Sequence, residues 1–262
     1  MKLAVAATAP FGADVLERVA AKHEVELLLT RADRPKGRGR RNAPPPAKEA
    51  AGRVGIPVVQ QEPLDSFPGA APVVVVAGYG VLVPESLLAG RLWLNVHPSL
   101  LPRWRGAAPV ERAIMAGDRV TGVTVIKLVP ELDAGPIGAQ QSFPLEPEAD
   151  AGAVFAEAAE IGAQLLDRVL EEPSFVPQAK EGVTYAEKIT AADRELDWSR
   201  PGEEIVNRIR ALSPHIGART ELEGRRVTLW RARLEDGRVV PLEVQPDGRR
   251  RMTYEEFLRG LR

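Results

Sequence analysis

The stretch Leu92-Trp93-Leu94-Asn95-Val96-His97-Pro98-Ser99-Leu100-Leu101-Pro102-Arg103-Trp104-Arg105-Gly106-Ala107-Ala108-Pro109 decides the fold. Leu92 to His97 is short and apolar with period-two alternation, which predicts a strand that carries Asn95 and His97 on the same side at its C-terminal end. A loop punctuated by Pro and Gly follows, and Pro109 presets the start of a helix to Met115. In an open parallel sheet the C-terminal end of a strand is where ligands bind.

Strand and helix signals alternate outward from this stretch. Strands are expected at Leu3 to Ala6, Val25 to Thr30, Val58-Val59, Val73 to Ala77 and Thr121 to Leu128, and helices at Ala13 to Ala21 and Ala47 to Val54. From Ala151 to Leu170, the residues Phe155, Ala158, Ile161, Leu165, Leu166 and Val169 recur at helical spacing, which predicts a last core helix. The fold class is α/β, a Rossmann-like, mostly parallel sheet flanked by helices. Pro173 and Pro177 break the pattern, so the catalytic domain is placed at residues 1–176, a linker at 177–198 and a small β-rich domain at 199–262. No Gly-x-Gly-x-x-Gly follows the first strand, which argues against dinucleotide binding.

The chemistry-bearing residues are Asn95, His97 and the later Asp133 in Leu132-Asp133-Ala134-Gly135-Pro136. Attack of an amine on an acyl carbon creates an oxyanion, which a fixed amide donor stabilises, while the departing amine needs a proton from an imidazole. A carboxylate near that imidazole supports the charged ring and can collect the proton of the attacking amine. A lone histidine in a strand is more often a satisfied core residue. Here Asn, His, Ser-Leu-Leu-Pro, Arg-Gly and Leu-Asp-Ala-Gly-Pro occur together, which favours the catalytic reading.

Composition narrows the classes. The absence of cysteine excludes disulfides, thiolate metal sites and a cysteine nucleophile. With a net charge of −1, any nucleic-acid contact must come from a local patch. No metal is expected, because no His/Asp/Glu group has ligand spacing. Met1-Lys2 leads directly into a strand and no long apolar run follows, so a soluble, cytoplasmic protein without a membrane partner is expected.

The joint pattern resembles the folate-dependent formyltransferases, and among them the methionyl-tRNA formyltransferase family. The resemblance covers nearly the whole chain, including Thr30 to Arg41, Val76 to Pro84, the signature loop, Val183 to Lys188 and Leu242 to Met252. It implies formyl transfer from 10-formyltetrahydrofolate to methionine carried by initiator tRNA, with Asn95, His97 and Asp133 as the catalytic triplet. It places Ser99, Leu100, Leu101 and Pro102 in the folate-binding segment, to which Tyr79 and Arg105 are added as candidates. The family's first strand leads into Gly-Thr-Pro where this chain has Ala7-Thr8-Ala9-Pro10, and Pro98 stands where tRNA formyltransferases often carry Gly. The family's C-terminal part is a small β-barrel. Here only Gly217 to Leu222, Arg225 to Ala232 and Val239 to Val244 read as strands after a helix at Glu203 to Leu212, so a truncated barrel with little core of its own is expected.

Two basic segments are candidate tRNA contacts. Arg31 to Arg41 sets six basic side chains against Asp33, with Arg34, Lys36, Arg38, Arg40 and Arg41 nearest the Gly37 and Gly39 turns. Arg249, Arg250 and Arg251 form the second run. A charge run is usually a solvated loop, but a basic loop beside the ligand-binding edge of the sheet can follow a phosphate backbone. Initiator methionyl-tRNA and the folate are the expected partners of a monomer or weak dimer. Two alternatives remain at this point: a folate-dependent formyltransferase of a small amine, such as a nucleotide sugar or glycinamide ribonucleotide, and a catalytically inactive RNA-binding module.

Overall fold

The computed structural model describes residues 1–36 and 41–261. Its seven-stranded sheet has the spatial order Ile137–Pro144, Val120–Lys127, Leu92–His97, Val73–Ala77, Lys2–Ala7, Glu24–Thr30 and Val58–Gln60. Lys2–Ala7 pairs in parallel with both Glu24–Thr30 and Val73–Ala77, and Val73–Ala77 with Leu92–His97. Leu92–His97 then pairs antiparallel with Val120–Lys127, placing His97 opposite Thr124. The sheet is therefore mixed and mostly parallel. Val73–Ala77 is buried throughout, as expected of a central strand covered on both faces.

Local chemistry explains the element ends. Pro10 and Pro46 occupy the first turns of the helices Pro10–Ala20 and Pro46–Val54, where a missing N–H costs nothing. The first helix thus begins three residues before the position expected from its apolar spacing. The turn that lacks the Gly-Thr-Pro sequence is closed by the backbone amides of Thr8 and Ala9 donating to the Gly78 carbonyl. Ile137–Pro144 is a strand that the sequence reading missed. Its central residues Gln140, Gln141 and Ser142 are polar, and it lies at the sheet edge, so it has no apolar alternation to read.

The chain divides into two compact units. The larger comprises Met1–Arg105, Gly122–Ser142 and Ala156–Thr184; the smaller comprises Gly106–Thr121, Phe143–Phe155 and Tyr185–Arg262. The smaller unit holds the helices Pro109–Met115, Gly202–Leu212 and Tyr254–Arg259, and an antiparallel sheet ordered Ala218–Leu222, Arg225–Glu235, Arg238–Pro246, Met252–Thr253. Thr253 and Glu256 form a reciprocal capping box on its last helix. Ile205, Ile209, Leu212, Ala218, Val227, Leu229, Val244 and Phe257 make a buried cluster with Met115 packed against it. This corrects the expectation of a part with little core: three strands alone would lack one, but the sheet gains a fourth strand and packs with helices from both earlier and later in the chain. Among the described residues no helix is long and apolar enough to cross a membrane.

Candidate active site

Asn95 and His97 leave the same face of their strand and both meet Asp133. Asn95 Nδ2 donates to Asp133 Oδ1 at 3.1 Å, and His97 Nδ1 lies 3.7 Å from Asp133 Oδ2. His97 is 4% exposed and Asp133 8%, so the carboxylate meets both partners away from most solvent. The other ring nitrogen, His97 Nε2, is 2.9 Å from the Trp104 carbonyl; because a carbonyl only accepts, this nitrogen carries the proton. Asp133 has φ +48° and Trp104 φ +63°, in the left-handed region that Asp tolerates better than most side chains and a bulky Trp seldom adopts. Two residues beyond Asp133 the turn packs so closely that a Cβ at Gly135 would run into the Lys127 carbonyl.

The signature loop is held by a buried hydroxyl. Thr124 Oγ1 donates to the Ser99 carbonyl at 2.7 Å and accepts from Leu101 N at 3.2 Å and from Gln140 Nε2 at 2.8 Å. Gln140 Nε2 also donates to the Leu101 carbonyl at 2.9 Å, and Ser99 Oγ to the Arg103 carbonyl at 2.8 Å. Leu100 packs into the space left open at Gly122, and the Leu101–Pro102 peptide is cis. Trp104 N donates to Thr184 Oγ1 and Arg105 N to the Thr184 carbonyl, each at 2.9 Å. The Arg105 guanidinium donates to Gln178 Oε1 through Nε and Nη2, at 3.1 and 2.7 Å. Thr124, Gln140, Gln178 and Thr184 escaped the sequence reading as individual residues. Only Thr184 carried a signal, as part of the quoted Val183 to Lys188.

Other candidates lie in different surroundings. Tyr79 is buried in the cluster that contains Leu64 and Trp93, and its hydroxyl has no hydrogen-bond partner among the described residues. Burial first, and then the Glu62 carboxylate, push its pKa up to about 12. Arg34 is exposed and shares Glu62 with Arg31; Nη2 of Arg34 lies 2.9 Å and that of Arg31 2.6 Å from the carboxylate. The Arg31 guanidinium, followed by that of Arg34, holds the Glu62 pKa below its ordinary value. Lys36 and Arg41 are paired residues of the short antiparallel ladder Arg34–Lys36 with Arg41–Ala43, while Arg38 and Arg40 lie outside the described residues. In the smaller unit Arg249 and Arg250 are exposed. Arg251 stacks 3.5 Å from the Trp230 ring centroid and donates to the Pro214 carbonyl at 2.7 Å, so the fold itself uses this side chain.

A fixed amide, an imidazole and a shared carboxylate are the groups that acyl transfer to an amine requires. Among the described residues no group of three His, Asp or Glu side chains could hold a metal ion.

Comparison with known proteins gives the family. Residues 1–170 match the formyl transferase family and residues 188–239 match the formyl transferase C-terminal domain. A methionyl-tRNA formyltransferase from Methylobacterium nodulans is 39% identical over 300 aligned residues, covering 100% of this chain and 97% of the relative. Among solved structures, HypX from Aquifex aeolicus in complex with tetrahydrofolic acid superposes with a TM-score of 0.69 at 18% identity, over 98% of this chain; the chain spans 46% of HypX. The methionyl-tRNA formyltransferase from Clostridium thermocellum superposes with a TM-score of 0.66 at 16% identity, over 94% of this chain and 98% of that one. These structural likenesses show the fold alone; the sequence matches carry the kinship. The chain belongs to the formyl transferase family, and within it to the methionyl-tRNA formyltransferases.

Proposed function

We propose that this enzyme transfers the formyl group of 10-formyltetrahydrofolate to the amino group of methionine on initiator tRNA. The observation that carries the reading is the single carboxylate of Asp133 within reach of both Asn95 and His97. The methionine nitrogen attacks the formyl carbon, a C–N bond forms, and the bond from that carbon to the folate nitrogen breaks. Asn95 donates to the oxyanion, as a fixed donor beside developing charge does most effectively. In the imidazolium form His97 supports the oxyanion and gives up one ring proton to the departing folate nitrogen, returning to neutral imidazole. Asp133 orients both and accepts the proton lost by the attacking amine.

The loop held by Thr124 and Gln140 is the proposed folate-binding segment, through Ser99, Leu100, Leu101 and Pro102, with Arg105 and Tyr79 as further contacts. The proposed tRNA contacts are Arg34, Lys36, Arg38, Arg40 and Arg41, with Arg249, Arg250 and Arg251 in the smaller unit. Because Glu62 already holds Arg34, phosphate must compete for that side chain. The test is transfer of labelled formyl from the folate to charged initiator tRNA, with charged elongator tRNA and small amines as competitors. Preferential labelling of initiator methionyl-tRNA is expected. Equal or better labelling of an amino sugar nucleotide would move the assignment to the small-amine reading.

A further inference from the structure

Gln178 lies outside the strands and helices, in a segment registered by two backbone hydrogen bonds between Val176 and Ile137 at 2.8 and 2.9 Å. Its amide spans two separate pieces of the site. Nε2 donates to the Asp133 carbonyl at 2.7 Å and to the Gly135 carbonyl at 2.8 Å, while Oε1 accepts from Arg105 Nε and Nη2. Both N–H groups and both oxygen lone pairs of the amide are thereby used. The orientation is fixed by chemistry, since a flipped amide would set N–H groups against a guanidinium and an oxygen against two carbonyls. The two carbonyls belong to the turn in which Asp133 adopts φ +48°, so Gln178 supports the backbone that aims the carboxylate.

We propose that Gln178 is a positioning residue for formyl transfer, clamping the Asp133 turn to Arg105 of the signature loop through one side-chain amide. The proposal rests on the function given above. Gln178 does not act on the substrate; it holds Asp133 where one carboxylate meets both Asn95 and His97. Misplacing a reacting group by about 1 Å costs on the order of 10²-fold in rate, which sets the scale of the effect. No isosteric side chain reproduces the clamp. Methionine fills the volume without the polar atoms, and glutamate keeps the acceptor for Arg105 while facing two carbonyls without a donor.

The test uses the full chain with Gln178→Ala, Gln178→Met and Gln178→Glu, read as kcat, KM for each substrate and unfolding midpoint. All three variants are expected to lose roughly 10- to 100-fold in kcat with KM for the tRNA changed by less than about threefold. KM for the folate, which Arg105 is proposed to contact, rises only where the Arg105 acceptor is lost, in Gln178→Ala and Gln178→Met. A Gln178→Glu variant with wild-type kcat would show that only the Arg105 contact matters and would overturn the proposal, as would a loss confined to KM. Should any variant fold poorly, the decisive comparison is Gln178→Met in an Asp133→Ala background. If Gln178 acts through Asp133, it costs little further there; an undiminished second loss overturns the clamp. Wild-type turnover in Asp133→Ala alone would instead remove the site reading on which the proposal rests.

Discussion

Asn95 Nδ2 donates to Asp133 Oδ1 at 3.1 Å, joining a central strand to a turn 38 residues further along the chain. The contact makes Asn95, the proposed oxyanion donor, and Asp133, the proposed proton acceptor, parts of one unit, because the same carboxylate also faces His97. Replacing Asp133 by Asn keeps the shape but removes the negative charge and the ability to take up a proton. Turnover is expected to fall by about 10²- to 10⁴-fold, the range over which positioned acid–base groups act, with substrate KM values little changed. Steady-state kinetics on purified Asp133→Asn protein measures this, and a loss under threefold would exclude Asp133 as the proton acceptor.

The helix Pro109–Met115 carries a second buried carboxylate with a different consequence. Burial raises the Glu111 pKa from 4.5 to about 6, and its Oε2 has no hydrogen-bond partner among the described residues. Between these two values the folded chain holds a proton that the unfolded chain releases. The stabilising contribution is therefore complete below about pH 4.5 and is lost as pH rises through 6, by about 2 kcal/mol. Glu111→Gln should thus be more stable than wild type at pH 8 and nearly equal at pH 4.5. Urea unfolding of both proteins at the two pH values gives the difference directly, and equal differences at both would refute it.

The basic segment Arg31 to Arg41 makes a salt-dependent prediction. Phosphate contacts release counterions, so Arg38→Ala together with Arg40→Ala should weaken tRNA binding and make its dependence on salt shallower by up to about two units of slope. Transfer to a small amine should survive. Filter binding over a salt series reads the slope, and an unchanged slope would mean that these arginines contact no phosphate.

The composition of the smaller unit bears on truncation. Residues 106–121 and 143–155 belong to it although they precede residue 199, and Met115 packs against its buried cluster. A fragment ending at Trp198 leaves these segments without their apolar partners, and it is expected to aggregate and to bind tRNA poorly. Light scattering and a binding assay check this. A monodisperse fragment with full tRNA affinity would show that the last 64 residues are dispensable.

The sequence was most legible where a short periodicity and chemically distinct side chains coincide. Leu92–His97 alternates apolar and polar over its second half, and its two polar residues fall on the face that meets Asp133. Val73–Ala77 and Pro109–Met115 have the ends expected of them, the latter because Pro109 fixes its first turn. The site's supporting residues were hidden for a physical reason. Gln178 lies in a segment without periodicity, and its partners are backbone carbonyls, whose positions no side-chain pattern encodes. The core of the smaller unit was missed because Gly106–Thr121 and Phe143–Phe155 are recruited from within the run of catalytic-domain elements.

The most direct test of the account is single-turnover transfer of labelled formyl from 10-formyltetrahydrofolate to charged initiator tRNA, run side by side on wild type and Asn95→Ala. Rapid labelling by wild type is expected, with a rate about 10²- to 10³-fold lower in the variant and folate binding retained, as loss of one oxyanion donor would give. Wild-type protein that leaves the tRNA unlabelled, or an Asn95→Ala variant that transfers at the wild-type rate, would contradict it.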